Sequence, residues 1–188
     1  MSFVDAVASG FKNAFNFKGA AKRSEFWYWV LFTLLVSLVL STVESVLWPP
    51  TPIQGDWMAD VEGVLSQPTP LTTIASLLLF IPNLAVTARR FHDAGFSAKW
   101  LLLQLIPLAY GIFALIGSLV VLLNSSSPEP TYEELIALIF LILPIIALAI
   151  AIAVIFLVMA LRPSRSFYDG NKYVEPVPLG PGDEGTTA

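Results

Sequence analysis

Arg89-Arg90-Phe91-His92-Asp93-Ala94-Gly95-Phe96-Ser97-Ala98-Lys99 is a basic island between two apolar runs, residues 71–88 before it and 100–123 after it. Two more apolar runs, 26–48 and 135–161, complete the pattern. A ~30 Å hydrocarbon layer needs roughly 20 helical residues, and each run is close to that length or beyond it. Working outward from the island, all ten Lys and Arg residues fall on one side of the runs. Lys12, Lys18, Lys22 and Arg23 precede the first; Arg89, Arg90 and Lys99 separate the second and third; Arg162, Arg165 and Lys172 follow the fourth. The other two connections carry only acids: Asp56, Asp60 and Glu62, then Glu129, Glu133 and Glu134. This asymmetry is the positive-inside pattern, and it predicts a multi-pass membrane protein with both termini cytoplasmic.

Composition agrees. Of 188 residues, 56% are hydrophobic and 13% charged, against about a quarter charged in soluble domains. Such a chain has too little polar surface to cover a soluble core. The net charge of −4 averages a basic side with an acidic one, so it gives no sign of a nucleic-acid partner. With no cysteine, disulfides, thiolate metal sites and thiol catalysis are excluded. The first run follows no basic leader with a small-residue cleavage site, so it is read as a retained span.

The expected fold is therefore all-α: a four-helix transmembrane bundle (26–48, 71–88, 100–123, 135–161) preceded by an interfacial amphipathic helix. Residues 1–25 form that helix and a basic lead-in, 26–161 the membrane domain, and 162–188 a mostly disordered cytoplasmic tail. In the lead-in, Phe3, Val7, Phe11 and Phe15 recur every four residues, and Ser2 with Asp5 fits a capping box. Such a helix either lies in the cytoplasmic interface or packs on the end of the bundle. Asp56 is expected to cap a short outer helix with Trp57, Val61 and Leu65 on one face. Thr131 and Glu134 form a second capping box, opening the fourth span. Pro144 and Pro107 are expected to kink their helices. The tail after Tyr173, rich in Pro and Gly, has a disordered composition.

Few polar residues remain to carry chemistry. Arg23 and Glu25 lead into the first span, while Arg89, Arg90, His92 and Asp93 sit between the second and third. All six lie at one membrane boundary, so they can meet, with Glu25 pairing with Arg89 or Arg90. Gly95 is expected to turn the chain with positive φ, and Ser97 to cap the third span. The arginines suit a phosphate of an anionic phospholipid headgroup. His92 with Asp93 suits a proton relay. One His and a few carboxylates make a weak metal set, and no cofactor is implied. The competing reading is structural: the arginines enforce topology in a helix connector held by Glu25.

Within the spans, Asn83 and Gln104 lie at similar depth, which predicts an interhelical hydrogen bond between them, with Thr87 nearby. Glu44 is near the outer interface. The pairs Ala147/Ala151 and Ala149/Ala153 suggest close helix packing. No Asp, Glu, Lys, Arg or His occupies the middle of any span, which argues against a transport site. The only His is outside the apolar runs, away from the span serines, which argues against an enzyme. The leading expectation is thus a non-enzymatic membrane protein whose cluster binds a lipid headgroup or a partner protein. A small homo-oligomeric channel or transporter is the alternative.

Two motifs add a resemblance. Phe17-Lys18-Gly19-Ala20-Ala21-Lys22-Arg23-Ser24-Glu25-Phe26-Trp27 is similar to the opening Phe-x-Gly-Arg-(small)-x-Arg-x-Glu-Phe-Trp of the domain of unknown function 805 family. Residues 81–100, from Ile81-Pro82-Asn83 through Arg89-Arg90-Phe91-His92-Asp93-Ala94-Gly95 to Trp100, resemble that family's Arg-Arg-Leu-His-Asp-x-Gly-x-Ser-Gly-Trp-Trp segment. Ala20, Phe91, Ala98 and Lys99 depart from the pattern, and the closing Gly-x-Asn-x-Tyr-Gly is met only as Asp169-Gly170-Asn171-Lys172-Tyr173-Val174. The resemblance implies a bacterial inner-membrane protein and no assigned activity.

Overall fold

A computed structural model describes residues 1–50, 52, 55, 57–125 and 131–176. Its elements are helices: α1 (Phe3–Lys12), α2 (Arg23–Leu47), α3 (Trp57–Ser66), α4 (Pro70–Asp93), a 3₁₀ segment (Ala98–Gln104), α5 (Leu105–Leu123) and α6 (Tyr132–Leu161). Four are long and apolar enough to cross a membrane: α2, α4, the 3₁₀ segment continued by α5, and α6. Each falls on an apolar run of the sequence. Their surfaces stay greasy, with Leu77, Leu115 and Phe140 each at least 70% exposed, as lipid-facing side chains are.

The helices pack as two antiparallel pairs. α2 lies along α4, α5 lies along α6, and α4 touches α6 and the 3₁₀ segment. In the α5–α6 pair, Gly117 lets the backbones close: a Cβ there would stand 2.9 Å from Leu141 Cδ2. The α2–α4 pair is fastened at both ends. At the acidic end, Glu44 is buried and accepts the backbone N–H of Leu71 and of Thr72 (3.0 Å) and the Thr72 hydroxyl. Those amides are in the first turn of α4, where N–H groups have no intrahelical acceptor. Glu44 therefore caps its neighbour helix instead of reaching out to the interface.

α1 has its expected capping box, Asp5 N to Ser2 Oγ at 3.2 Å and Ser2 N to Asp5 Oδ2 at 3.1 Å. It packs on the end of the bundle against α2 and α4. The buried stripe, however, is small: Ala6 and Gly10, with Ala14 just beyond the helix, rather than the phenylalanines. Gly10 is pressed on Trp29, whose Cε3 is 2.1 Å from where a Cβ would be. Phe11 meets Trp29 edge-on at 5.2 Å while remaining half exposed, and Val4 and Phe15 face outward. Only small side chains let the helix approach the indole, so the larger ones flank the contact.

Several expectations change. α4 continues through Arg89–Asp93, so the basic island begins as a helix turn and not as a loop. α6 holds Pro144 inside one continuous helix, as α4 holds Pro82. Pro107 falls in the first turn of α5, where a missing N–H is tolerated; the irregularity there is the 3₁₀ segment preceding it. Ala147, Ala149, Ala151 and Ala153 are exposed, and α6 turns Ile152, Met159 and Ala160 inward instead. Thr131 and Glu134 form their capping box. The expected short outer helix forms as α3; its cap at Asp56 and the side chains of Trp57, Val61 and Leu65 lie outside what is described, as do residues 177–188 of the tail. Residues 162–173 of that tail are not loose: they fold back on the end of α4.

Candidate functional site

α4 ends in a Schellman motif. Phe96 N–H donates to the Phe91 carbonyl (2.8 Å), Gly95 N–H to that of His92 (3.0 Å), and Gly95 has φ +86°. The Asp93-Ala94-Gly95 turn is thus as the sequence suggests. Other parts of the chain also donate to carbonyls near this end. Ala21 N–H donates to Arg89 O (3.1 Å), and Arg165 N–H to Asp93 O (2.8 Å). Asn171, buried, donates its amide to His92 O (2.8 Å) and Arg165 O (3.0 Å). These bonds tie the lead-in and the tail to one helix end, and among them Arg165 N–H supplies the donor that the Asp93 carbonyl lacks within the helix.

Around this end the structure brings all six predicted cluster residues together. Arg90, fully buried, pairs with Asp93 one turn later and donates Nε to Ala160 O (2.9 Å) and Nη2 to Arg162 O. Arg23 donates Nε to the same Arg162 carbonyl (3.1 Å). These are the last carbonyls of α6, which lack intrahelical donors and carry the negative end of its dipole. Asp93 in turn accepts the Ser164 hydroxyl. Arg90 is therefore the bolt between α4 and α6, and its five N–H donors suit several acceptors at once.

Arg89 points the other way. Its Nη2 is 3.5 Å from Glu25 Oε1, and Glu25 also accepts the Ser9 hydroxyl of α1 (2.9 Å). Arg89, not Arg90, is thus the partner of Glu25. Arg89 is buried, and its Nε and Nη2 are enclosed without a hydrogen-bond acceptor. His92 is half-buried; its Nε2 accepts the Ala98 N–H (3.3 Å) and its ring stacks on Tyr173 at 4.6 Å. With Nε2 so engaged and Asp93 held by Arg90 and Ser164, the pair is not arranged as a relay. Among the described residues no three His, Asp or Glu side chains come together to hold a metal ion.

The intramembrane pair is different from the one expected. Asn83 Oδ1 accepts the Trp29 indole N–H at 2.6 Å, and the Thr87 hydroxyl donates to the Asn83 backbone oxygen at 2.7 Å. α4 packs its Asn83 level on α2, while the third span begins as a 3₁₀ segment with a longer rise per residue. Gln104 ends that segment and faces grooves beside α4. Ser97 caps the segment through Lys99 N–H (3.3 Å). Sequence reasoning missed Ser9, Ser164 and Asn171. Of these only Asn171 had a signal, its place in the closing Asn-x-Tyr of the resemblance.

Four apolar spans joined through buried charges at their basic end define a polytopic membrane protein with a buried polar cluster. The chain belongs to the DUF805 family of proteins of unknown function, which matches residues 14–173. It is 38% identical over 96 residues to inner membrane protein YhaH of Escherichia coli (strain K12), covering 51% of this chain and 69% of that protein. To inner membrane protein YhaI of the same strain it is 29% identical over 96 residues, covering 51% and 67%. No solved structure matches.

Proposed function

We propose that this is a non-enzymatic membrane protein, with both termini cytoplasmic, that binds the phosphate of an anionic phospholipid headgroup at Arg89. The carrying observation is that buried guanidinium, two of whose nitrogens lack acceptors and whose carboxylate neighbour stands at 3.5 Å. Buried donors are nearly always satisfied, and an orphan calls for an ion, a water or a ligand. Phosphate oxygens match a guanidinium well. The exposed aromatic face of α1 and the lysines around it would hold this rim in the headgroup layer, and α1 would lift slightly to admit the phosphate. Arg90 and Asp93 serve the fold in this reading and contact no lipid.

Native mass spectra of the gently solubilised protein test it. Wild type should retain an anionic phospholipid, and folded Arg89→Gln should lose it. Glu25→Gln, which removes the competing carboxylate, should retain more. Equal retention by folded Arg89→Gln and wild type, or a bare wild-type protein, overturns the reading. A homo-oligomeric channel is the competing proposal, and solute flux through vesicles holding the pure protein would favour it.

A further inference from the structure

We infer that the cleft between α4 and the third span is a second lipid site, seating the acyl chain and ester of an anionic glycerophospholipid. This goes beyond the Arg89 reading and stands on different residues. The cleft has a volume of about 400 Å³ and is walled by Phe80 and Leu84 of α4, by Leu105 and Leu108 of α5, and at its foot by Phe17. Its one polar wall residue is Gln104. That side chain is exposed, sits inside a membrane span, and makes no hydrogen bond to any described residue.

An amide at that depth is costly unless it finds a partner. The 3₁₀ segment rises ~2 Å per residue, so Gln104 lies only about 8 Å beneath Trp100, the aromatic that marks the interface. An ester carbonyl of a glycerophospholipid is an acceptor available at such a level, with its acyl chain continuing along the apolar wall. Leu102 is shared with a second, adjoining cleft of about 410 Å³ lined by Ser97, Lys99 and Trp100. That puts the Lys99 ammonium on the headgroup side of Gln104. Lys18 follows Phe17, a wall residue of the cleft, in the chain. A lysine lining the adjoining cleft and a second next in the chain to Phe17, with no charged residue in the wall itself, favour an anionic headgroup over a zwitterionic one.

The test is photo-crosslinking in phosphatidylcholine vesicles doped with phosphatidylglycerol that carries a photoactivatable acyl chain. Labelled peptides should concentrate at Phe80, Leu84 and Leu105, and unlabelled phosphatidylglycerol should compete where phosphatidylcholine does not. Lys99→Gln should lower that preference about fivefold, Gln104→Leu should weaken labelling, and Leu84→Trp should fill the cleft and abolish it. Arg89→Gln should leave it unchanged, which separates this site from the one at Arg89. Labelling spread evenly over the other lipid-facing residues, such as Leu115 and Phe140, overturns the inference. So does a protein–protein crosslink through the cleft, which would give it to a second copy of this chain.

Discussion

Arg90 and Asp93, three residues apart in the last turn of α4, form a hydrogen-bonded ion pair in which each partner also grips the chain beyond α6. Arg90 holds the Ala160 and Arg162 carbonyls, and Asp93 holds the Ser164 hydroxyl. Taking one member out of a buried pair leaves the other uncompensated, at a cost of roughly 3–5 kcal/mol. Arg90→Ala and Asp93→Ala should each cause a loss of that order in thermal or denaturant unfolding in detergent. The double variant should lose less than the sum. Strict additivity would mean that the two groups do not act as a unit.

Gly10 offers a second handle. Any side chain there drives into the Trp29 ring, as the 2.1 Å approach shows. Gly10→Val should detach α1 from the bundle at a cost of about 1–3 kcal/mol and free Trp29 to move. The readouts are a shift in tryptophan fluorescence and faster proteolysis at Lys12. Unchanged protection would mean that α1 is held elsewhere.

At the other end of the α2–α4 pair, Glu44→Ala removes the acceptor for Leu71 and Thr72 N–H. The expected loss is ~1–2 kcal/mol, as for a deleted N-cap, seen as faster amide exchange in the first turn of α4. Glu44→Gln keeps one acceptor oxygen and should lose less.

The acid response of α1 follows from Asp5. Hydrogen bonds from the Ser2 hydroxyl and N–H hold its carboxyl below the ordinary value of 3.8. A folded-state pKa below the unfolded one adds stability that is present above 3.8 and lost as pH falls through the lower, folded value. Acidification should therefore fray the start of α1, followed by amide exchange. Ser2→Ala should remove most of that pH dependence.

The helices were legible because spans and caps are local signals. The apolar runs, the Ser2–Asp5 and Thr131–Glu134 boxes and the positive φ of Gly95 all follow from near neighbours in sequence. The meeting of Arg23, Glu25, Arg89, Arg90, His92 and Asp93 was also legible, since the basic side of a membrane protein gathers distant segments at one level. What each residue does there was not. Whether Arg89 or Arg90 meets Glu25 depends on the rotation of α4, and a run apolar all round carries no record of that rotation. Similarly, Asn83 bonds Trp29 and not Gln104, because depth alone does not say which helix is the neighbour.

Asn171 carries the last prediction, because it bears on the boundary of the folded unit. The sequence reads 162–188 as a mostly disordered tail, on the composition after Tyr173, yet Asn171 is buried and its amide donates to the His92 and Arg165 carbonyls. Beside it, Tyr173 covers His92 and Ser166–Asp169 closes a turn. One planar amide thus fastens the returning strap to the end of α4. Asn171→Asp presents carboxylate oxygens to those carbonyls in place of donors, and burying that side chain without its hydrogen bonds costs ~1–3 kcal/mol. The strap should then lift while the spans persist. Proteolysis at Arg165 and Lys172 should speed up with little change in helical content, and Asn171→Ala should behave alike but more mildly. Cleavage at the wild-type rate in both variants would mean that Arg165 N–H on the Asp93 carbonyl and Ser164 on the Asp93 side chain suffice to hold the strap.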